Sequence, residues 1–177
     1  MKITEVETFV VDGGLRPWTY VAIRTDEGIM GYGEFGEGFP NGMVGLVTDL
    51  SHLLIGKDPG PIEKLYMDMY RAGRTTPGGA LGHAIAGIEL ALWDIKGKRH
   101  DVPVHSLVGG PFREKQLVYF SHLATYRARH AEMMSVRPLR TMADVADCAR
   151  EAVDLGYEVF KTNIVFPGDP SSAITQG

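Results

Sequence analysis

The sequence predicts an α+β segment, an antiparallel meander followed by helices, that runs into the first βαβ part of a parallel α/β sheet. Three observations lead there. Residues 2–11, 19–25 and 29–35 are dense in β-branched and aromatic side chains. From Gly42 to Lys98 the apolar residues recur at helical spacing. Beyond Gly109-Gly110 an apolar run, an amphipathic run and a second apolar run succeed one another, the order of strand, helix and parallel strand.

The leading stretches KITEVETFVV, TYVAIRT and IMGYGEF are expected to pair as consecutive antiparallel strands, because Asp26-Glu27-Gly28 is a tight-turn signal. GMVGLVTDLSHLLIGK (42–57) and PIEKLYMDMYRAG (61–73) read as two helices, parted by Gly56 and Pro59. The third helix is the longest. Its Leu81, Ile85, Ile88, Leu92 and Ile95 form one continuous stripe, while Ala84, Gly87 and Ala91 keep the adjoining surface thin. Gly87 costs about 1 kcal/mol relative to Ala inside a helix, so another backbone or a bulky side chain is expected against it. Asp94 stands one helical turn before Lys98, the favourable order for an ion pair of about 0.3 kcal/mol, and the pair alone implies no chemistry.

LVYFSHLA (117–124) is predicted as a buried strand, TMADVADCAREAVDLG (141–156) as an amphipathic helix with Thr141 as N-cap and Gly156 just past its end, and YEVFKTNIV (157–165) as a second buried strand. Two parallel strands cannot cover their own faces, so this unit is expected to need further strands and helices. FPGDPSSAITQG (166–177) reads as a loop. The expected domains are 1–112, an α+β segment, and 113–177, a βαβ part that stops short of a closed sheet.

Composition excludes several function classes. The 177 residues carry a net charge of −4 with Lys and Arg scattered along the chain, so there is no basic stripe for nucleic acid. No apolar run approaches the ~20 residues of a membrane helix, and MKITEVETF holds no apolar signal segment. The single Cys148 permits no internal disulfide and reads as a buried structural thiol. A cytoplasmic protein with neither nucleic-acid nor membrane partners is expected.

Ala84, Gly87, Ile88, Glu89, Ala91, Asp94, Ile95, Gly97 and Lys98, followed by Pro103, Leu107, Gly109 and Gly110, make a long ordered pattern. It resembles the helical signature and Pro-Leu-Gly-Gly continuation of the enolase superfamily, in particular its mandelate racemase and muconate lactonizing branch, over residues 1 to about 166. The resemblance implies an N-terminal α+β capping domain joined to the start of a modified (β/α) TIM-type barrel, with the reaction at the C-terminal ends of the barrel strands. It implies proton abstraction next to a carboxylate and Mg²⁺ as cofactor. The metal ligands would sit on later strands, so no metal ligand is expected among residues 1–177 and the chain is expected to be incomplete. Glu89 and Asp94 are then packing-helix residues that tie the fold together.

FKTNIV (160–165) is the most informative chemical motif. Side chains two apart on a strand share a face, so Lys161 and Asn163 are expected to point together into the barrel. Relatives carry Lys-x-Lys there, the first neutralising the substrate carboxylate and the second serving as base. Lys161 matches the first; Asn163 departs at the second, and an amide accepts no proton at neutral pH. The base is then expected elsewhere, which favours a dehydratase acting on a small carboxylate or acid sugar over a racemase with bases on both faces. His122 and Tyr126, at the end of the first barrel strand and in the long loop 125–140, are candidate substrate contacts, with Arg127, Arg129 and His130 available for a carboxylate or a subunit contact.

Specificity in such enzymes comes partly from the cap, whose loops correspond to GGLRPW (13–18) and FGEGFPN (35–41). Arg16 and Trp18 are candidate substrate contacts there, on a loop that Gly13 and Gly14 make mobile. Gly31, Gly33, Gly36 and Gly38 lie in or just after a strand without the strand-to-helix turn of a dinucleotide site, so no nucleotide is expected. A racemase, epimerase or cycloisomerase of the same branch, and a truncated non-catalytic interaction module, stay open as alternatives. Assembly into a homo-oligomer is expected.

Overall fold

The computed structural model describes residues 1–36, 39–75 and 78–163, and the chain divides into two compact units, Met1–Phe112 and Arg113–Gly177. In the first, the β-rich stretches form β1 (Ile3–Asp12), β2 (Pro17–Thr25) and β3 (Met30–Glu34), an antiparallel sheet in the order β1-β2-β3. Gly28 makes the second turn possible, at φ 80°, a backbone region that side chains disfavour. Val21 and Ile23 of the central strand are fully buried in the core.

Three helices follow: α1 (Pro40–Ser51), α2 (Ile62–Ala72) and α3 (Gly79–His100). The run 42–57 is not one helix. It leaves helical geometry after Ser51 and tightens, so that Gly56 N donates to Ile3 O at 2.8 Å and Ile3 N to Lys57 O at 2.9 Å. Those bonds tie the start of β1 to the helical layer. In α3 the whole predicted stripe, Leu81, Ile85, Ile88, Leu92 and Ile95, is buried.

The small residues beside that stripe let helix and sheet backbones almost touch. A Cβ on Gly87 would stand 2.4 Å from Phe35 Cβ, and one on Gly33 would stand 1.9 Å from Gly87 O. A Cβ on Gly31 would meet Ala91 O at 2.1 Å. The glycines of β3 are therefore packing devices, and the neighbour expected against Gly87 is Phe35. Beyond α3, Pro103 starts the single turn α4 (Val104–Leu107), and Gly110 N closes it on His105 O at 2.7 Å.

The second unit contains α5 (Thr125–His130) and α6 (Met142–Asp154), packed around Leu123, Ala124, Leu139, Cys148 and Ala152. Thr141 caps α6 as expected, in a reciprocal box with Asp144, and Gly156 follows its end at φ 85°. The flanking stretches depart from expectation. Among the described residues 117–124 and 157–163 share one parallel bridge, Phe120 with Phe160, and are otherwise outside regular strand. Leu117, Val118, Tyr119 and Val159 are exposed where buried strands were predicted. The physical reason is that a parallel pair is buried only when neighbouring strands and helices cover both faces, and none among the described residues does. Ile164 and Val165 of the second stretch, the tail 166–177, and Glu37 and Gly38 of the loop 35–41 lie outside the described residues. No helix among the described residues is long and apolar enough to cross a membrane.

Candidate functional site

The chemistry-bearing residues of the second unit gather where the two extended stretches meet. Phe120 N donates to Val159 O at 3.0 Å, Lys161 N to Phe120 O at 2.9 Å, and Leu123 N to Lys161 O at 3.1 Å. The backbone of Lys161 is thus held on both sides by residues 120–123, while its side chain is exposed. One step further, Asn163 N lies 3.4 Å from Thr125 Oγ1, and Thr125 is buried while Asn163 is half-buried. Thr125 had no signal in the sequence beyond opening the segment 125–140.

His122 sits between these contacts in the left-handed region, at φ 54°, an uncommon position for a residue with a side chain. Its ring stacks on Tyr126, centroids 4.5 Å apart and planes 15° from parallel, and Tyr126 meets His130 edge-on at 6.3 Å. His122 Nδ1 is buried without a hydrogen-bond partner among the described residues. Tyr126 was expected in a loop; it lies in the first turn of α5, which the ring stack and buried Thr125 hold in helical geometry.

Arg127 is spent within the unit. Its Nη1 and Nη2 donate to Glu151 Oε2 and Oε1 at 2.6 and 2.8 Å, clamping α5 to α6. The guanidinium bonds hold the Glu151 carboxyl below the usual carboxylate range, and the carboxylate raises Arg127. Cys148 lies beneath the clamp, 3.7 Å from Arg127 Nη1. Burial pushes its thiol up, so it is an inert core thiol, as expected.

Arg16 and Trp18 belong to the first unit. Trp18 is not in the loop but in β2, opposite Val11. Its indole covers Gly13, where an added Cβ would come within 2.0 Å of the ring. Gly13 N donates to Arg16 O at 3.2 Å and Gly14 N to Asp12 Oδ1 at 2.8 Å. The glycines expected to give mobility instead allow a tight hairpin with the indole laid over it. At the other cap loop, Thr19 Oγ1 donates to Phe35 O and to Gly36 O, the latter at 2.6 Å.

The described residues contain no group of three His, Cys, Asp or Glu side chains able to hold a metal.

Comparison with known proteins gives this arrangement its context. The family model of the mandelate racemase / muconate lactonizing enzyme N-terminal domain matches residues 13–109. A D-galactonate dehydratase from Verminephrobacter eiseniae is 40% identical over 164 residues, 92% of this chain and 38% of that protein. A crystal structure from Burkholderia xenovorans, provisionally named an L-alanine-DL-glutamate epimerase and bound to magnesium and fumarate, superposes with a TM-score of 0.88 at 34% identity. That match covers 96% of this chain and 42% of the other. An enolase from Agrobacterium radiobacter, provisionally named a galactarate dehydratase and bound to sodium and L-malate, gives a TM-score of 0.75 at 27% identity, covering 92% of this chain and 38% of that one. The chain spans about two fifths of the length of the proteins it matches.

Proposed function

Because the chain belongs to the mandelate racemase / muconate lactonizing enzyme family, we propose that the protein carrying it is an acid-sugar dehydratase. It takes the proton α to a carboxylate, passes through an enediolate and expels the 3-hydroxyl as water. The observation that carries this reading is the 40% identity to a D-galactonate dehydratase along 92% of the chain. Mg²⁺ is the proposed cofactor. Its carboxylate ligands are proposed to come from parts of the protein other than residues 1–163.

On this reading, Lys161 places a positive charge beside the substrate carboxylate, where negative charge grows as the α-proton leaves. Asn163 orients the substrate through its amide and takes no proton, so the base comes from another part of the protein. His122 and Tyr126 contact the hydroxylated chain of the substrate, and Arg16 and Trp18 of the cap contribute to its selection. The α-proton passes to that external base, and the leaving hydroxide departs as water with a proton supplied there. The lone Cys148, buried and without a disulfide, suits a reducing cytoplasm.

A second reading, racemisation or epimerisation, is favoured by the TM-score of 0.88 to the provisional epimerase. The two separate in one assay. The protein is incubated with a panel of sugar acids and dipeptides, and products are followed by the semicarbazide reaction for 2-keto acids and by polarimetry. Keto acid from a sugar acid supports dehydration; optical change without keto acid overturns it.

A further inference from the structure

The two edges of the sheet are finished differently. On β3, Asp94 and Lys98 of α3 occupy the outward backbone groups of Tyr32 and Met30 at 2.9 and 2.7 Å. On β1 only the start is occupied, where Ile3 bonds to Gly56 and Lys57. Among the described residues nothing bonds the outward groups of the strand from there to Asp12.

Which groups face outward follows from the ladder. Gly13 N donates to Arg16 O and closes the β1-β2 hairpin, and hydrogen-bonded positions alternate along an antiparallel pair. Val11, Phe9 and Glu7 therefore turn their N–H and C=O to β2, and Val10, Thr8 and Val6 turn theirs away. Natural edges of this kind are usually blunted by Lys, Pro or a bulge. The register shift of β1 lies at its start, between Ile3 and Glu5, and VETFVV (6–11) beyond it holds no Lys, Pro or bulge. Val10 and Val11 are each 49% exposed, and the acids Glu5 and Glu7 are both held by Arg24 at 3.1 Å.

We propose that the open edge of β1 pairs antiparallel with the same edge of a second copy of this chain, about a two-fold axis through Thr8, so that one sheet runs across both copies. A second copy is the occupant because the strand complements itself in a register that its outward groups allow. With Thr8 opposite Thr8, Val6 stands opposite Val10, Glu7 opposite Phe9 and Glu5 opposite Val11. No like charges meet, and the Val-Val and Thr-Thr pairs are favourable cross-strand neighbours. Moving the axis to residue 7 sets Glu7 against Glu7; moving it to residue 9 shortens the paired stretch. Such a self-complementary patch is what a two-fold interface requires. The inference is independent of the proposed reaction.

The test is sedimentation of the chain over a concentration series, with two variants. Thr8→Pro removes an N–H that faces away from β2, a place where an edge strand tolerates proline. Val10→Lys keeps the backbone and puts a charge at a half-exposed position. The wild type is expected to be a dimer, and each variant to self-associate at least ~100-fold more weakly with unchanged circular dichroism. Amide exchange at Val6, Thr8 and Val10 is expected to be slow in the dimer and fast on dilution. A wild type that is monomeric at about 100 μM, or a dimer that both variants leave intact, overturns the proposal. Slow exchange of those amides in a diluted monomer also overturns it, because the edge is then closed by the chain's own residues.

Discussion

Asp94 Oδ2 accepts the backbone N–H of Tyr32 at 2.9 Å across 62 positions of sequence, and the same oxygen accepts Lys98 Nζ at 2.7 Å. Lys98 Nζ also donates to Met30 O at 2.7 Å and lies 5.0 Å above the Tyr32 ring. What reads in sequence as an ordinary surface ion pair is the clasp that closes one sheet edge against the longest helix.

Asp94→Ala leaves the Tyr32 amide and Lys98 without their acceptor. It is expected to destabilise the first unit by about 1–2 kcal/mol, the scale of losing an acceptor with a charged donor attached. Lys98→Met, which leaves the Asp94–Tyr32 bond in place, is expected to cost less than about 1 kcal/mol because the ion pair is open to solvent on one side. Urea unfolding of both variants measures the difference; equal losses would mean that the Asp94–Tyr32 bond adds nothing beyond the contacts of Lys98 with Asp94 and Met30.

Two glycines of α3 are expected to respond to Ala in opposite directions. Gly87→Ala forces a methyl into Phe35, whose Cβ would be 2.4 Å away, and such overpacking costs about 1–3 kcal/mol against the ~1 kcal/mol gained in helix propensity. Gly82→Ala meets nothing within 4 Å and is expected to stabilise by about 0.5–1 kcal/mol. Thermal melts of the pair report the sign directly.

Asp144 confers an acid limit on the second unit. The backbone N–H of Arg140, then the Thr141 hydroxyl and N–H and the charge of Arg137, hold its carboxyl below the usual range. A folded-state value below the unfolded ~3.9 means that its stabilisation is present above that pH and is lost as pH falls through the folded value. The helical signal of α6 is therefore expected to decline with acid below about pH 4, and Asp144→Asn to lower stability at neutral pH while flattening that decline. A pH series of melts for both proteins checks it; parallel curves would remove Asp144 as the titrating group.

Lys161→Met, in the intact enzyme, is expected to lower turnover by at least ~100-fold, the effect of removing one electrostatic stabiliser from a developing charge. Metal affinity is expected to stay unchanged, because the role proposed for Lys161 is to pair with the substrate carboxylate and not to ligate the metal. Asn163→Ala is expected to cost less. Calorimetric metal titration beside steady-state kinetics reads both quantities, and unaltered turnover would detach the stretch 160–163 from the reaction.

The first unit was legible because its signals are local. The spacing of Leu81 to Ile95 announced a buried helix face, and the cost of Gly87 announced a neighbour, which proved to be Phe35. The Asp94 clasp was not legible, since nothing local marks a bond to a strand 62 positions away. In the second unit the pattern of 117–124 gave its parallel partner, through Phe120 and Phe160, but not its exposure. Hydrophobic runs encode what a strand needs around it, and only the fold decides whether that cover is present. The site was read as residue types on a strand. The Arg127–Glu151 clamp joins residues 24 positions apart, and the His122–Tyr126 stack depends on a left-handed backbone at His122, neither of which a local pattern announces.

The most direct test of the dehydratase reading is proton NMR of D-galactonate and related acid sugars turned over by the enzyme in D₂O with Mg²⁺. Loss of water through an enediolate must yield a 2-keto-3-deoxy acid carrying one solvent deuterium at C3, with no deuterium at C2 of the remaining substrate if the departure of hydroxide is fast. Deuterium or inverted configuration at C2 without any keto acid would contradict dehydration and establish epimerisation in its place.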